Sequence, residues 1–543
     1  LLTCTVQLDA DKVDAFWDAF TKDLASLKGG DFAPELIKRA VFNVRDEMDR
    51  AGETLNGLVG WKSTVRFVLG GPLGEANYRG RLDAVSQDAL QAAIDAWLVP
   101  ERCRVRVLAP TEAQLPDFEA VLKKNWPASA GAAKVQAGYM TGEREIVDLG
   151  NGRTLVLLPD THAPYFSLEF RLTGGNALLD PEQQGLASLA AKTLTDGCGD
   201  LDQQAFERFL LSRASSLNAS AGRQTFSVGM TGPSRFMPDL LPLLAQVVKQ
   251  PRFEEKFVRL EADDMKNALR KRADRPQRYL FSKIDPFLYG RHAYGYDTLG
   301  TETILDGLKP GDVRAFWLRQ TAQPWVMSVA GSFDKNAVLA FARSLPAPTA
   351  PAVEVKAPSV TDKKELDLHL SDRSQAHLIR IVPTVAVTHP DVPALMLLDS
   401  MLSGQSGLLF SSLRDNEGLG YTVTSFLRTM REAGFMALYI GTTPDRMEQS
   451  KQGFDRVVAA LRKDLLPERM LKDGANQLWG EYVRGKQSLG DRAAEAVGNM
   501  LLGDPDFNRK LLEKVAHVRP EDIREVARKY LKPEEARTLT VGP

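Results

Sequence analysis

The chain has 543 residues, of which 43% are hydrophobic and 26% are charged, a composition typical of ordinary globular domains. This length predicts several domains. The formal net charge of −1 gives no electrostatic reason to expect binding to nucleic acid or to an anionic membrane. No apolar run reaches the length of a membrane span, and the three cysteines form neither a disulfide framework nor a metal-ligand cluster.

The N-terminal part of the chain mixes predicted strands and helices. Its patterns predict, in chain order, a strand Leu1–Leu8, helices Lys12–Leu27, Pro34–Glu47 and Ser86–Trp97, and a strand Cys103–Leu108. The sequence has no starting Met and no signal peptide. We therefore expect this chain to be a piece of a longer protein.

The C-terminal part repeats this order of elements. Residues Val85–Pro110 align without gaps on Val518–Pro543, 433 positions later, and a third copy lies at Leu308–Ser332. A fixed pattern that recurs in this way indicates repeated domains. The first copy lacks its front half, so residues 1–115 are expected to be the tail of a domain. The matching C-terminal elements are predicted as strands Phe435–Ile440 and Thr538–Val541 and helices Met447–Leu461, Pro467–Arg484 and Pro520–Tyr530.

Two full domains are predicted in the rest of the chain. A connector over residues 116–143 and a Pro/Ala linker over residues 345–358 separate residues 144–344 from residues 359–543. We expect each of these domains to be α+β, with a mixed sheet and helices packed on one face. Their predicted elements include the hairpin Glu145–Leu158, strands Tyr165–Thr173 and His377–Pro383, and helices Gln184–Thr195, Gln203–Ser215, Pro238–Lys249 and Val258–Lys271.

The stretch Ser403–Tyr421 contains a Gly/Ser turn, a short helix and the start of a strand. The helix is predicted to end near Gly418, which places Arg414 in its last turns and Tyr421 at the mouth of a strand Tyr421–Leu427. A guanidinium and a phenol aimed at one point suit a peptide carbonyl oxygen, or the oxyanion that forms when this carbonyl is attacked. The alternative is a structural corner with a solvated arginine.

The pattern G-x-S-x-x-L-F-x-x-L-R-x-x-x-G-L-x-Y, starting at Gly404, resembles a signature of the pitrilysin/insulinase family of zinc metallopeptidases. The resemblance covers nearly the whole chain. It implies repeated domains of the pitrilysin and mitochondrial-processing-peptidase type, which close like a clamshell around an unfolded peptide. It also implies that Arg414 holds a substrate carbonyl and that Tyr421 stabilises the tetrahedral oxyanion, while zinc in the N-terminal half holds the substrate.

The zinc centre of that family is an H-x-x-E-H helix, in which two histidines bind zinc and the glutamate polarises a water molecule. A second glutamate downstream completes the coordination. The resemblance aligns this helix with Gly185–Gly197. The His positions then hold Ser188 and Lys192, the catalytic Glu position holds Ala191, and the downstream Glu position holds Ala268 or its neighbour Asn267. None of the four keeps its chemistry, so we expect no metal in this chain and zinc in the missing N-terminal half.

The resemblance thus implies the C-terminal, zinc-free portion of a tandem four-domain metallopeptidase. Residues 1–115 would complete the second domain, residues 144–344 would form the third as a chamber wall, and residues 359–543 would form the fourth. This chain alone is expected to be inactive. Its expected partners are peptide substrates and its own N-terminal half, in the periplasm or another exported location.

The alternative hypothesis is a non-catalytic subunit of the same family, which acts as a scaffold or peptide-binding partner with no zinc anywhere. Retention of both Arg414 and Tyr421 favours the peptidase, because a pure scaffold would not need this pair.

Overall fold

The computed structural model describes residues 13–28, 55–99, 142–161, 165–213, 215–371, 373–404, 407–486 and 488–543, with the single residues 37, 40, 41 and 44. The chain divides into two compact units, Leu1–Gly138 and Tyr139–Pro543. The predicted strands Leu1–Leu8 and Cys103–Leu108, and most of the predicted helix Pro34–Glu47, lie outside the described residues.

The described part of the first unit is helical. Its helices are α1 (Val13–Lys28), α2 (Leu55–Ser63, continued as a π-helical turn Thr64–Val68), α3 (Pro72–Asp83) and α4 (Gln87–Trp97). α4 begins where the Ser86 hydroxyl accepts a hydrogen bond of 3.2 Å from a backbone N–H of the first turn. α1 buries Trp17 on its apolar face. The predicted helices Lys12–Leu27 and Ser86–Trp97 are confirmed to within a residue at each end.

Within the described residues, the second unit contains two large sheets and one two-stranded sheet. The strands of residues 145–331 are β1 (Glu145–Gly150), β2 (Arg153–Pro159), β3 (Tyr165–Thr173), β4 (Gly197–Cys198) and β5 (Leu201–Asp202), which pair only with each other, β6 (Ser216–Ala221), β7 (Thr225–Pro233) and β8 (Trp325–Gly331). Six of them form one sheet in the order β1-β2-β8-β3-β7-β6, in which only β2 and β8 are parallel. The predicted hairpin is confirmed and turns at Asn151 and Gly152, with φ of 54° and 72°.

The helices of this part are α5 (Leu186–Thr193), α6 (Gln203–Ser212), α7 (Met237–Lys249), α8 (Glu255–Arg270), α9 (Pro276–Ser282), α10 (Ile284–Tyr289), α11 (Glu302–Gly307), α12 (Pro310–Thr321) and α13 (Lys335–Ser344). All but α9 and α10 contribute side chains to the buried core of the first sheet. Alternate residues of β3, from Phe166 to Leu172, point into this core, because successive strand side chains face opposite sides of a sheet.

The second sheet is formed by residues 365–542. Its strands are β9 (Glu365–His369), β10 (Ala376–Thr384), β11 (Thr422–Thr429), β12 (Gly434–Thr442) and β13 (Arg537–Gly542). They are ordered β11-β12-β10-β13-β9, and only β13 and β9 are parallel. Residues 345–358, between α13 and β9, form no helix or strand.

The helices that accompany the second sheet are α14 (Val392–Leu402), α15 (Met447–Lys463), α16 (Glu468–Arg484), α17 (Leu489–Leu501), α18 (Phe507–Val515) and α19 (Pro520–Tyr530). The three helices predicted here, at α15, α16 and α19, are confirmed. In the part of the chain that the structure describes, no helix is both long and apolar enough to cross a lipid bilayer.

Each sheet is covered on its second face by helices from the other half of the unit. α17 packs across β8 and β3 of the first sheet, where Val497 joins a buried cluster with Val326. The hydroxyl of Ser328 donates a 2.7 Å hydrogen bond to the carbonyl of Ala493 at this contact. In return, α9 and α10 pack on the second sheet, with Ile284 in its buried cluster. The expected α+β class is confirmed, and this exchange of helices is added to it.

Candidate functional site

We call the segment Phe410–Tyr421 the Arg–Tyr corner. It consists of a π-helical turn, Phe410–Asn416, and the residues that connect this turn to β11. Leu413 is fully buried and anchors the corner in the core of the second sheet. Gly418 has a φ of 63°, and its N–H donates a 2.9 Å hydrogen bond to the carbonyl of Arg414. The helical segment therefore ends two residues before Gly418, close to the end that the sequence predicted, although it is wound as a π-helix.

The structure brings Arg414 and Tyr421 together. The guanidinium carbon of Arg414 lies 4.6 Å from the centre of the Tyr421 ring and 4.3 Å from the centre of the Phe410 ring. Two cation–π contacts hold the charge between the rings. Tyr421 is 78% exposed. Arg414 is partly buried. Within the described residues, neither its guanidinium nor the Tyr421 hydroxyl makes an ion pair or a hydrogen bond.

Neighbouring groups fix the backbone that leads into Tyr421. A Cβ at Gly420 would lie 2.3 Å from the carbonyl oxygen of Gly441, so only glycine allows this close approach. Arg446 donates a hydrogen bond to the carbonyl of Gly418 on the other side of the corner. The backbone of the Arg–Tyr corner is thus fixed, while the Arg414 guanidinium and the Tyr421 hydroxyl have no hydrogen-bond partner within the described residues. This arrangement suits binding of a carbonyl or a carboxylate.

Helix α5 carries three of the four positions that the resemblance assigns to the lost zinc centre. Ala191 is buried, Ser188 is half-buried, and the exposed Lys192 forms an ion pair with Glu261 of α8, with 2.7 Å between Nζ and Oε2. The fourth position, Ala268, is exposed on α8, two helical turns beyond Glu261 on the same face. The sequence analysis placed Ala268 at this position and did not identify Glu261 as an α8 residue that contacts α5. Glu261 lies seven residues before Ala268, and this helical spacing is the signal that points to it.

Asp196 lies just after α5, close to the same carboxylate. Burial, followed by the charges of Glu261 and Glu207, raises the pKa of Asp196 to about 6, and the Lys192 ammonium opposes this rise. The Oδ2 atom of Asp196 is buried and has no hydrogen-bond partner among the described residues. Burial also raises the pKa of the Cys198 thiol to about 11, so this cysteine is not a reactive thiolate at neutral pH.

The residues at the zinc-motif positions do not fit a zinc ion. Protein ligands of zinc are imidazole, thiolate or carboxylate groups. Ala191 has no donor atom, and the Lys192 ammonium brings a positive charge where a metal needs a lone pair. Among the residues that the structure describes, no group of three or more His, Cys, Asp or Glu side chains could hold a metal ion.

Fold and site together define a class of protein, built from two α+β halves that exchange helices. One half carries an exposed Arg–Tyr corner, and the other carries a metal-motif helix without its ligands. Residues 319–478, which include the corner, match the family model of the peptidase M16 inactive domain. The chain therefore carries this M16 domain and is homologous to YmxG-like zinc proteases, which confirms the resemblance seen in the sequence.

Curated relatives agree with this family. An uncharacterized zinc protease, YmxG of Bacillus subtilis, is 25% identical over 309 residues, which cover 55% of this chain and 74% of that protein. An uncharacterized zinc protease of Streptomyces coelicolor is 28% identical over 258 residues, 45% of this chain and 56% of that protein. A protein described as the non-peptidase homolog YmxG of Helicobacter pylori is 21% identical over 401 residues, 72% of this chain and 91% of that protein.

Solved structures share the fold. The peptidase M16 inactive domain from Pseudomonas fluorescens superposes with a TM-score of 0.66 at 18% identity, covering 74% of this chain and 98% of that one. A protease from Helicobacter pylori superposes with a TM-score of 0.67 at 17% identity, covering 74% of this chain and all of that one. At these identities the likeness concerns the fold alone.

Proposed function

We propose that this chain is the C-terminal, zinc-free part of a zinc metalloendopeptidase that degrades unfolded peptides in a closed chamber. The observation that carries this proposal is the Arg–Tyr corner, where Arg414 and Tyr421 lie in contact, with the tyrosine exposed and the guanidinium unpaired within the described residues. The homology to proteins described as zinc proteases supports it. In this proposal residues 144–344 form the third domain and a chamber wall, and residues 359–543 form the fourth.

Each of the two side chains has a distinct role in the proposed site. The Arg414 guanidinium donates hydrogen bonds to a substrate carbonyl, and its position between two rings restricts its rotamers before the substrate arrives. The Tyr421 hydroxyl donates to the oxygen on which negative charge develops, a role that favours the transition state over the ground state. The other half of the enzyme, rather than this chain, carries the metal.

The second candidate function is a non-catalytic subunit that binds peptides or acts as a scaffold. Two observations favour it: Lys192 is paired with Glu261 where the zinc motif would lie, and one relative is described as a non-peptidase homolog. In this case the Arg–Tyr corner would hold peptides without cleaving them. The two functions differ in whether the N-terminal half of the protein carries H-x-x-E-H.

The test is peptide hydrolysis by this chain assembled with its N-terminal half. Tyr421→Phe should lower kcat about a hundredfold and leave KM nearly unchanged, because only the donor to the oxyanion is lost. Arg414→Ala should lower kcat and also raise KM, because ground-state binding of the carbonyl is lost too. The matched control is Arg469→Ala, which removes another exposed arginine, on α16.

Parental kcat/KM in both variants, within about twofold, would assign the Arg–Tyr corner a structural role. If the assembled protein hydrolyses no peptide but binds one through Arg414, the non-catalytic function is the correct one.

A further inference from the structure

A cavity of about 200 Å³ lies between the end of β2, α16 and α17. We call it the α17 cavity. Its lining includes Leu158 and Pro159 of β2, Tyr482 of α16 and Ala496 of α17, and none of its lining residues belongs to the Arg–Tyr corner or to α5. One water molecule takes up roughly 30 Å³ in the liquid, so a cavity of this volume accommodates a small organic molecule.

Two side chains of opposite charge on α17 line this cavity. Arg492 and Glu495 are three residues apart, so they lie on the same face of the helix. Arg492 forms an ion pair with the buried Asp160, just after β2. Glu495 forms an ion pair with Lys486, with 3.1 Å between Oε2 and Nζ. The side chains of Arg492 and Glu495 are only 26% and 16% exposed, so water screens their charges weakly.

Each of these two side chains has one polar atom without a partner. The Nε of Arg492 and the Oε1 of Glu495 are buried and make no hydrogen bond within the described residues. Buried polar atoms without a partner are uncommon in native proteins, because losing contact with water costs free energy that a hydrogen bond would offset. A molecule that brings an acceptor to Arg492 and a donor to Glu495 would satisfy both atoms.

The other charged groups of the cavity already have their partners. The Lys486 ammonium contacts both Glu495 and the Tyr482 hydroxyl. The Nη1 and Nη2 atoms of Arg144 donate to the two carboxylate oxygens of Asp506, at 3.0 and 3.1 Å. Arg492 and Glu495 are therefore the groups that determine which charges a ligand has to carry.

A ligand with a single charge does not match this pair. Glu495 repels an anion placed at Arg492, and Arg492 repels a cation placed at Glu495. A zwitterion avoids both repulsions, since it offers a carboxylate to one side chain and an ammonium to the other. The apolar part of the lining, with Leu158, Pro159 and Ala496, suits an apolar group on the same molecule.

We propose that the α17 cavity binds a free α-amino acid with an apolar side chain. The carboxylate binds Arg492, the ammonium binds Glu495, and the side chain packs on Leu158 and Pro159. Pockets for drug-sized molecules measure about 300–1,000 Å³, so the smaller α17 cavity favours a single amino acid over a peptide. The site does not depend on the roles of the Arg–Tyr corner.

The first test is isothermal titration calorimetry of the full chain with L-leucine. The dissociation constant should be about 1 mM or lower, a value in the range for a ligand of this size. Isocaproate, which lacks the ammonium, and isoamylamine, which lacks the carboxylate, should bind at least about tenfold more weakly, because each loses a hydrogen bond between charged groups. No saturable binding of L-leucine up to about 10 mM would overturn the proposal, and so would equal affinities for leucine and isocaproate.

Hydrogen–deuterium exchange, read by mass spectrometry, locates the binding. Saturating L-leucine should slow exchange over α17 at least about twofold more than over β11, because the ligand adds contacts to α17. Slowing that is confined to other elements would place the ligand elsewhere and would overturn the proposal.

A variant assigns the affinity to the cavity. Glu495→Gln keeps the length of the side chain and removes its charge, so it should weaken L-leucine binding at least about tenfold. It should also narrow the difference between leucine and isocaproate, because the repulsion of an anion is lost. The matched control is Glu513→Gln, at an exposed carboxylate on α18 outside the cavity, which should keep the parental affinity.

Unchanged L-leucine affinity in a folded Glu495→Gln variant would overturn the proposal. If this variant does not fold, the comparison of the three ligands and the exchange of the unmodified chain still decide.

Discussion

The Arg–Tyr corner and the α5 site differ in how they treat their charged groups. At the corner, the Arg414 guanidinium lies against two aromatic rings and has no ion pair within the described residues, and Tyr421 is exposed. At α5, Lys192 is neutralised by Glu261, and the buried Ala191 fills the position between. The Arg414 guanidinium, which has no anionic partner within the described residues, is available to a ligand. The Lys192 ammonium is already paired with a carboxylate and lies next to Ala191, as expected for an ordinary contact between helices.

The contrast extends to how the two sites are supported. The backbone of the corner is fixed by the buried Leu413 and by glycines at positions where a Cβ would clash. These residues hold the two side chains Arg414 and Tyr421 in position. The α5 site is an ordinary helix–helix contact with one exposed ion pair. The difference supports the proposal that the second sheet's half of the unit provides the binding groups, while the first provides a structural frame.

The largest expected effect tests whether Leu413 supports the corner. Leu413→Ala should lower the free energy of unfolding by about 3 kcal/mol, because it leaves a cavity in the core of the second sheet. Arg414→Ala should change it by less than about 0.5 kcal/mol, because that side chain fills no core space. Urea unfolding followed by circular dichroism measures both. Leu465→Ala, at a leucine that is 47% exposed, is the matched control.

An equal, small loss in Leu413→Ala and Leu465→Ala would contradict the anchoring role. The corner would then be held by its hydrogen bonds alone.

The next effect concerns the carboxylate beside α5. The pKa of Asp196 is raised to about 6 in the folded chain, above its ordinary value of 3.8, so the folded state holds this proton more tightly than the unfolded state. The free energy of unfolding should therefore fall as pH rises from about 4 to about 6 and then level off. Asp196→Asn should remove this loss and stabilise the chain by about 1–2 kcal/mol above pH 6, with little effect below pH 4.

Melting temperatures measured from pH 4 to pH 8 check this prediction for Asp196. Asp200→Asn, at an exposed carboxylate four residues further on, is the control and should not reproduce the pH-dependent gain. Equal stabilisation by Asp196→Asn at every pH would show that the carboxylate charge is not the cause.

Much of the fold follows from local patterns in the sequence. β3 was predicted with its observed bounds, since nine residues alternate between apolar and polar, and α19 was predicted because a proline opens it and its apolar residues keep helical spacing. β6 was missed although Ser216–Ala221 alternates between polar and apolar residues, because two of its three apolar residues are alanine, which is uncommon in strands. α17 was also missed, because two of its four buried residues are alanine and it packs on a sheet more than 150 residues earlier in the chain.

For the candidate sites, too, the sequence predicted contacts within one segment but not contacts between distant segments. The spacing of Arg414 and Tyr421 was enough to predict their proximity, because both lie on one short corner. The pair Lys192–Glu261 spans two helices. The spacing of Glu261 from Ala268 places both on one face of α8, but it does not show that Glu261 reaches Lys192. Contacts between elements depend on packing angles that local patterns do not specify.

The smallest expected effect tests whether the ion pair at α5 replaces a metal as a structural element. Lys192 is 43% exposed, and exposed ion pairs contribute little because water and salt screen them. Lys192→Met should therefore change the free energy of unfolding by less than about 1 kcal/mol, the same as the control Lys256→Met, whose pair with Glu254 is also at the surface. It should also raise the pKa of Asp196 further, because the opposing positive charge is lost. A loss of about 3 kcal/mol or more in Lys192→Met alone would show that the ammonium holds α5 to α8, and the α5 site would then be a structural replacement for the metal rather than a surface contact.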